Sequence, residues 1–364
     1  MDYINEVADE RAYRIKALTV VMEAALLFLK PHNVTIRSTE SGMLRHFLMS
    51  YTSRCAPHVC LAGLVCNLLS FFVIVRHPLF NNSFGYLTAY HAASNAIVLL
   101  IFILWAVPWT VWSIPDELSG VINHRIGQLL CFLMEVAFHC CLFISANRFV
   151  AITFPLRYTY IFTTKVTVLI VIFVSGISVA ICLIYFEDGC ELYYDHELSG
   201  WASGNSSRCE QLMFYIDVGY NVSLFVVVGI VDLITITQLR KMKKIALPNR
   251  GEVDSIRSKY STKKQKKDFQ FFFQAILNFC VYASMLVCFH VIAPAAATDF
   301  LLFLCTTFAW GFAHAAGGLI LVVFNPEVRR HLYSVRYLTK PKEHQLPTIK
   351  VKESRQQSLG TSSK

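Results

Sequence analysis

Charge is what this chain has least of. Asp, Glu, Lys and Arg make up 16% of its 364 residues, where a soluble domain carries about 25%. With 55% hydrophobic residues and a mean hydropathy of +0.48, the deficit excludes an ordinary soluble protein. Internal repeats are missing too, which argues against the paired-repeat transporters. The apolar stretches lack acid–base pairs. They also lack a His-x-x-x-His or Glu-x-x-His pair at metal-ligand spacing, with Glu135 and His139 the one weak exception. No metal, no cofactor and no enzymatic activity are therefore expected.

What is present is length of apolar run. Stretches near Pro57–Val75, Tyr86–Pro108, Gly127–Phe149, Val166–Phe186, Met213–Ile236, Gln270–Ala293 and Leu301–Phe324 each approach the ~20 residues a bilayer core requires. Strands of roughly 4–8 residues are too short for such runs. Lipid offers no partner to an open backbone amide, so each stretch is predicted to be a helix. The fold class expected is an all-α membrane protein, a bundle of seven transmembrane helices. Residues 1–55 form an N-terminal segment, 56–326 the helical domain and 327–364 a polar tail.

Loop charge sets the expected orientation. The loop between Arg240 and Lys267 is dense in Lys and Arg, and the tail adds Arg329, Arg330, Arg336, Lys340 and Lys342. The loop between Glu187 and Glu210 instead carries Glu187, Asp188, Glu191, Asp195, Glu197 and Glu210 against Arg208. Positive loops stay inside, so the N-terminus is expected outside and the C-terminus inside. The basic loop joins two spans, so it points to anionic lipid and not to nucleic acid. The sequons at Asn33 and Asn205 fall on the expected outer side. Those at Asn81 and Asn221 fall inside the cell and inside a span, and neither is expected to be modified.

Most of the twelve cysteines lie in the spans, as small apolar packing residues. Cys190 and Cys209 share the acidic outer loop, an oxidising location, and are expected to form a disulfide. The stretch Ala17–Leu29 is apolar but too short to span. Arg11, Arg14 and Lys16 before it resemble a signal-peptide charge pattern, yet no small-residue cleavage site follows. It reads as an outer or interfacial segment, either retained or cleaved as a signal, or as a mis-predicted stretch.

Charged and polar residues inside the spans are functional hypotheses by default. Arg148 stands at the inner end of the third span, where it either meets a cytoplasmic partner or snorkels to lipid phosphate. Glu135 and His139 are four apart, on one face of the third helix, within reach of an outside ligand or of a neighbouring helix. Asp217 lies high in the fifth span, facing either the same cavity or the loop. Trp105 is deep enough to wall a pocket, while Trp109 and Trp112 read as interfacial anchors. The end of the chain, with Ser354, Ser358, Thr361, Ser362 and Ser363, has the composition of a disordered tail. Phosphorylation there would recruit an arrestin-like partner, or the tail is inert.

Several residues combine into a pattern: Ser83-Phe84-Gly85, Asn95, Trp105 and Pro108 in the second span, then Ile144 and Asn147-Arg148-Phe149 closing the third. Phe154-Pro155, Tyr158 and Ile161-Phe162-Thr163 follow, then Asp232 and Thr235, Phe308-Ala309-Trp310, His314 and Phe324-Asn325. From about Pro57 to Arg330 this resembles the rhodopsin-like G-protein-coupled receptors, and more finely the nematode chemoreceptors of serpentine receptor class x. The resemblance implies a receptor for an odorant- or pheromone-type chemical in the plasma membrane of sensory neurons. Its partner would be a heterotrimeric G protein, contacted through Asn147, Arg148, Phe149, Pro155, Tyr158, Lys241 and Lys266. Glu135, His139, Trp105 and Asp217 are the ligand-binding expectations. A transporter or ligand-gated channel is the alternative reading.

Three departures from the rhodopsin-like pattern matter. Asn147 stands where an acid usually precedes the Arg, so the resting state is expected to be less firmly latched. The Cys that ties the third span to the loop above it would fall near Asn123, about seven turns before Arg148, and is absent. Asn325-Pro326 lies at the end of the last span with no Tyr at the usual offset, so its switch role is not carried over.

Overall fold

The computed structural model describes residues 40–112, 114–204, 206–245, 270, 273–325 and 328–330. Ala17–Leu29, Asn33, Asn205, Lys266 and the tail beyond 330 lie outside the described residues, as does the side chain of Asp217. Among the described residues, seven helices are long and apolar enough to cross a membrane. They are α1 (Ala56–Arg76), α2 (Ser83–Thr110), α3 (Glu117–Thr153), α4 (Thr164–Phe186), α5 (Ser207–Lys241), α6 (Phe273–Ala295) and α7 (Asp299–Phe324).

Hydropathy finds the apolar middle of each helix, and polar caps set the true ends. Helix α2 starts at Ser83 because the Asn82 side chain accepts the Gly85 amide at 3.1 Å. Helix α5 starts at Ser207 because Ser206 accepts from Cys209 at 3.2 Å. Helix α7 starts at Asp299 under a Thr298 cap. Such caps satisfy amides that the first turn leaves open. Helix α3 begins ahead of the predicted Gly127, because polar turns continue it outward. Pro57 does not begin the first helix; it lies inside a helix that runs Glu40–Arg76.

Helices α3 and α7 are the most buried and α4 the least. Val168, Leu169, Ile172 and Phe173 of α4 point outward, an apolar face suited to lipid. The centre is aromatic. Phe138 of α3 packs edge-on against Phe225 of α5 and Tyr282 of α6, with centroids 4.9 and 5.4 Å apart. Helices α1, α2 and α7 approach closely. A Cβ on Gly317 would collide with the Asn95 amide, which is the use of small residues where lipid-embedded helices meet.

One end of the bundle is roofed by a hairpin of β1 (Leu192–Asp195) and β2 (Gly200–Ser203), antiparallel with Tyr194 opposite Trp201. Cys190 and Cys209 are bonded, with Cα atoms 5.1 Å apart, and join the hairpin's base to the start of α5. Asn123 fixes its position. The Asn123 amide donates to Tyr194 O at 2.9 Å, and its Oδ1 accepts from the Tyr194 amide at 3.0 Å. Trp105 Nε1 donates to the same Oδ1 at 3.1 Å. Thr307 of α7 holds the turn by donating to Ser199 O at 3.2 Å. Burial under the roof pushes the Tyr194 phenol pKa up.

The helices beneath this roof are not regular. π-helical turns interrupt α2 at Phe102–Ala106, α5 at Phe214–Tyr220, α6 at Cys288–Ile292 and α7 at Leu304–Phe308. All four lie toward the hairpin end. Such turns concentrate at functional sites.

Candidate functional site

A cavity opens between α3, α5, α6 and α7, under the hairpin. Its walls include Cys131, Met134, Met285, Phe289, Trp201 and Trp310, with Asn221 and His290 among the polar groups. The π-turn of α6 presents Phe289 and His290 to it.

Asn221 connects this cavity to a buried acid. Its Nδ2 donates to Glu135 Oε1 at 2.9 Å. Glu135 and His139 do share one face of α3, and both are about 2% exposed or less. The His139 Nδ1–H reaches the backbone oxygen of Glu135 at 2.6 Å, because a carbonyl can only accept. Nε2 then accepts from the Tyr220 hydroxyl at 2.6 Å. The pair therefore faces α5, behind Asn221, and Glu135 and His139 are not among the residues lining the cavity. Trp105 also stands away from it, packed on Trp109 and bonded to Asn123.

Trp310, a wall of the cavity, leads inward. Its indole N–H donates to His314 Nε2 at 3.1 Å. An indole nitrogen only donates, so Nε2 must accept and the proton of His314 sits on Nδ1. That proton goes to Asn95 Oδ1 at 2.8 Å. Tyr282 donates to the same oxygen at 3.0 Å, and its own oxygen faces His91 Nε2 at 3.3 Å. Asn67 closes the α1 side by donating to the His314 backbone oxygen at 3.1 Å. One hydrogen-bonded chain thus joins α7, α2 and α6. Asn67 and Asn95, as polar residues inside spans, point to a buried network from the sequence alone, but not to His314 and Tyr282 as its other members, which lie far along the chain.

At the opposite end of the bundle lie the residues expected to meet a G protein. Arg148 is 8% exposed, and its guanidinium lies 3.3 Å from the ring centroid of Phe84 on α2. Asn147 is buried and accepts from the Tyr158 hydroxyl at 3.3 Å. Phe149 packs edge-on against Phe154. Pro155 and Lys241 are exposed. The structure thus groups Asn147, Arg148, Phe149 and Tyr158. Asn325 caps the residues after α7, with its Oδ1 accepting from Val328 at 3.4 Å. Among the described residues no cluster of three or more His, Cys, Asp or Glu is arranged to hold a metal.

Comparison with known proteins fits this geometry. Residues 58–325 match the family described as "Serpentine type 7TM GPCR chemoreceptor Srx". Serpentine receptor class X 45 of Caenorhabditis elegans is 25% identical over 284 residues, 73% of this chain and 76% of that protein. Serpentine receptor class X-43 of the same nematode is 23% identical over 218 residues. That match covers 58% of this chain and 65% of the relative, just under two thirds of its length. Squid rhodopsin shares the fold, with a TM-score of 0.61 at 10% identity over 78% of this chain and 83% of its own. The family is one of receptors, not of enzymes. The chain is a multi-pass membrane protein and belongs to the Srx family of seven-helix G-protein-coupled chemoreceptors.

Proposed function

We propose that the chain binds a small chemical of odorant or pheromone type from outside the cell and activates a heterotrimeric G protein within it. In this reading the hairpin end faces outward and the Arg148 end inward, which the basic loop after Arg240 supports. The observation that carries this reading is the position of Trp310. It walls the cavity on one side and donates into the buried His314–Asn95–Tyr282 chain on the other. A ligand that moves this indole removes the donor that orients His314, whose own Nδ1–H ties α7 to α2 at Asn95. Ligand binding and bundle packing are then coupled through differential affinity for two packings. Arg148, with Asn147, Phe149, Pro155, Tyr158, Lys241 and Lys266, forms the G-protein contact.

For the ligand, Asn221 and Trp310 are the closest contacts. Glu135 acts through Asn221, His139 supports Glu135, and Trp105 acts through the roof; Asp217, in the π-turn of α5, is a further candidate. Anionic lipid meets the basic inner loop, and an arrestin-like protein meets the tail when it is phosphorylated. The plasma membrane of sensory neurons is the proposed location.

A chemical panel screened by guanine-nucleotide exchange in receptor membranes tests the reading. A hit whose response is lost in Asn221→Leu, at unchanged surface expression, supports it. A chemical-gated current or flux that persists without G protein overturns it in favour of a channel or transporter.

A further inference from the structure

Two polar atoms in the cavity wall, one acceptor and one donor, have no hydrogen-bond partner among the described residues. The acceptor is Oδ1 of Asn221, a fully buried residue that directly follows the π-turn of α5. Its Nδ2 is occupied by Glu135 Oε1, and Glu135 is not among the residues lining the cavity. The carboxylate therefore fixes which way the amide is turned, and Oδ1 is left over. The donor is the indole N–H of Trp201, on strand β2 of the roof and 5% exposed. Its ring is held between Tyr194 and Trp310, with centroids 5.3 and 5.8 Å away. Buried polar groups are bonded in all but a few cases, so an open pair on one cavity calls for an occupant that completes both.

The two atoms ask for different things. Asn221 Oδ1 needs a hydrogen to accept, and an indole N–H needs a lone pair. An ammonium group offers only hydrogens and leaves Trp201 facing a donor. An ether or carbonyl offers only lone pairs and leaves Oδ1 dry and unbonded. A carboxylate sets negative charge against Oδ1 with the Glu135 carboxyl behind it, and no Lys or Arg lines the cavity. A hydroxyl supplies hydrogen and lone pair in one group. The rest of the wall asks for hydrocarbon. Met134, Met213, Met285 and Leu286 line it, and thioether chains adapt their shape to a flexible aliphatic body.

We infer that this cavity selects a neutral aliphatic alcohol, whose hydroxyl donates to Asn221 Oδ1 and accepts from the Trp201 indole while its chain lies among the methionines. Trp201 is thereby a specificity residue supplied by the roof. The inference rests on the reading of this cavity as the ligand site; it does not depend on what the inner end of the bundle contacts.

Binding is tested apart from signalling. The unfolding temperature of the full chain in lipid nanodiscs is followed against concentration of hexan-1-ol, methyl pentyl ether, hexylamine and hexanoate, and of straight-chain alcohols from butan-1-ol to octan-1-ol. Partition into lipid is common to the wild type and to Asn221→Leu, so the difference between them reports the site. The alcohol is expected to bind the wild type about tenfold more tightly than the ether, the loss of one hydrogen bond. Trp201→Phe, which keeps a ring and removes the N–H, is expected to weaken the alcohol and leave the amine unaffected. The ether comparison needs no variant, so a poorly folding substitution does not blunt it. Ether, amine or carboxylate binding as well as the alcohol overturns the inference. So does an alcohol series that binds the wild type no better than Asn221→Leu, which makes water the occupant. Nucleotide exchange with the same compounds then separates the two readings. Alcohol binding that never alters exchange supports the alcohol site and counts against the receptor reading. Exchange driven by a compound without a hydroxyl, and by none of the alcohols, overturns the alcohol site and leaves the receptor reading standing.

Discussion

The indole N–H of Trp310 donates to Nε2 of His314, one turn further along α7, at 3.1 Å. This contact makes the cavity wall and the polar core one unit. It also fixes the tautomer of His314, because indole cannot accept. Replacing His314 by Leu leaves the Trp310 N–H buried without its partner and takes one of two donors from Asn95 Oδ1. A buried polar group left without its bond costs about 1–3 kcal/mol. In a membrane the lower end applies, because an unpacked helix finds other partners. Unfolding of His314→Leu in nanodiscs is expected to show a loss of this size, and Trp310→Phe a smaller one.

Asn123 takes over the task that a disulfide performs in rhodopsin-like receptors. The sequence places it where that cysteine is missing, and the structure shows three hydrogen bonds from its side chain to Tyr194 and Trp105. Asn123→Ala is expected to loosen the roof and to speed protease cleavage within residues 190–204, with the transmembrane core intact. Unchanged cleavage would remove the anchor role.

The Cys190–Cys209 bond closes a loop 19 residues apart in sequence. Chain entropy for a loop of that size corresponds to about 3 kcal/mol. The double variant Cys190→Ser/Cys209→Ser is therefore expected to lose roughly that much stability, read as reduced surface expression and a lower unfolding temperature.

Asn147 offers Arg148 no carboxylate, and its oxygen is turned to Tyr158. Asn147→Asp is expected to lower ligand-free nucleotide exchange by several-fold, since a carboxylate beside Arg148 adds the missing latch. Exchange equal to wild type would contradict the loose-latch account.

Much of this architecture is legible in the sequence, for a physical reason. Lipid admits only long apolar helices, so hydropathy and length place the seven spans. Their shared place in the acidic loop between the fourth and fifth spans singles out Cys190 and Cys209. The helix ends are set by Asn82, Ser206 and Thr298, polar caps that an apolar-run criterion cannot see. The π-turns leave no compositional mark. The partners of Glu135 were hidden for another reason: Asn221 is 86 residues away and reads, in sequence, as an unused sequon. His91 and His314 look like isolated packing residues until Tyr282 and Asn95 are brought between them.

The central claim is that Arg148 couples this bundle to a G protein. Ligand-free guanine-nucleotide exchange on membranes carrying the wild type, Arg148→Ala or no receptor tests it most directly. The account predicts exchange above empty membranes for the wild type and none above them for Arg148→Ala at equal expression. Exchange that persists undiminished in Arg148→Ala would contradict it.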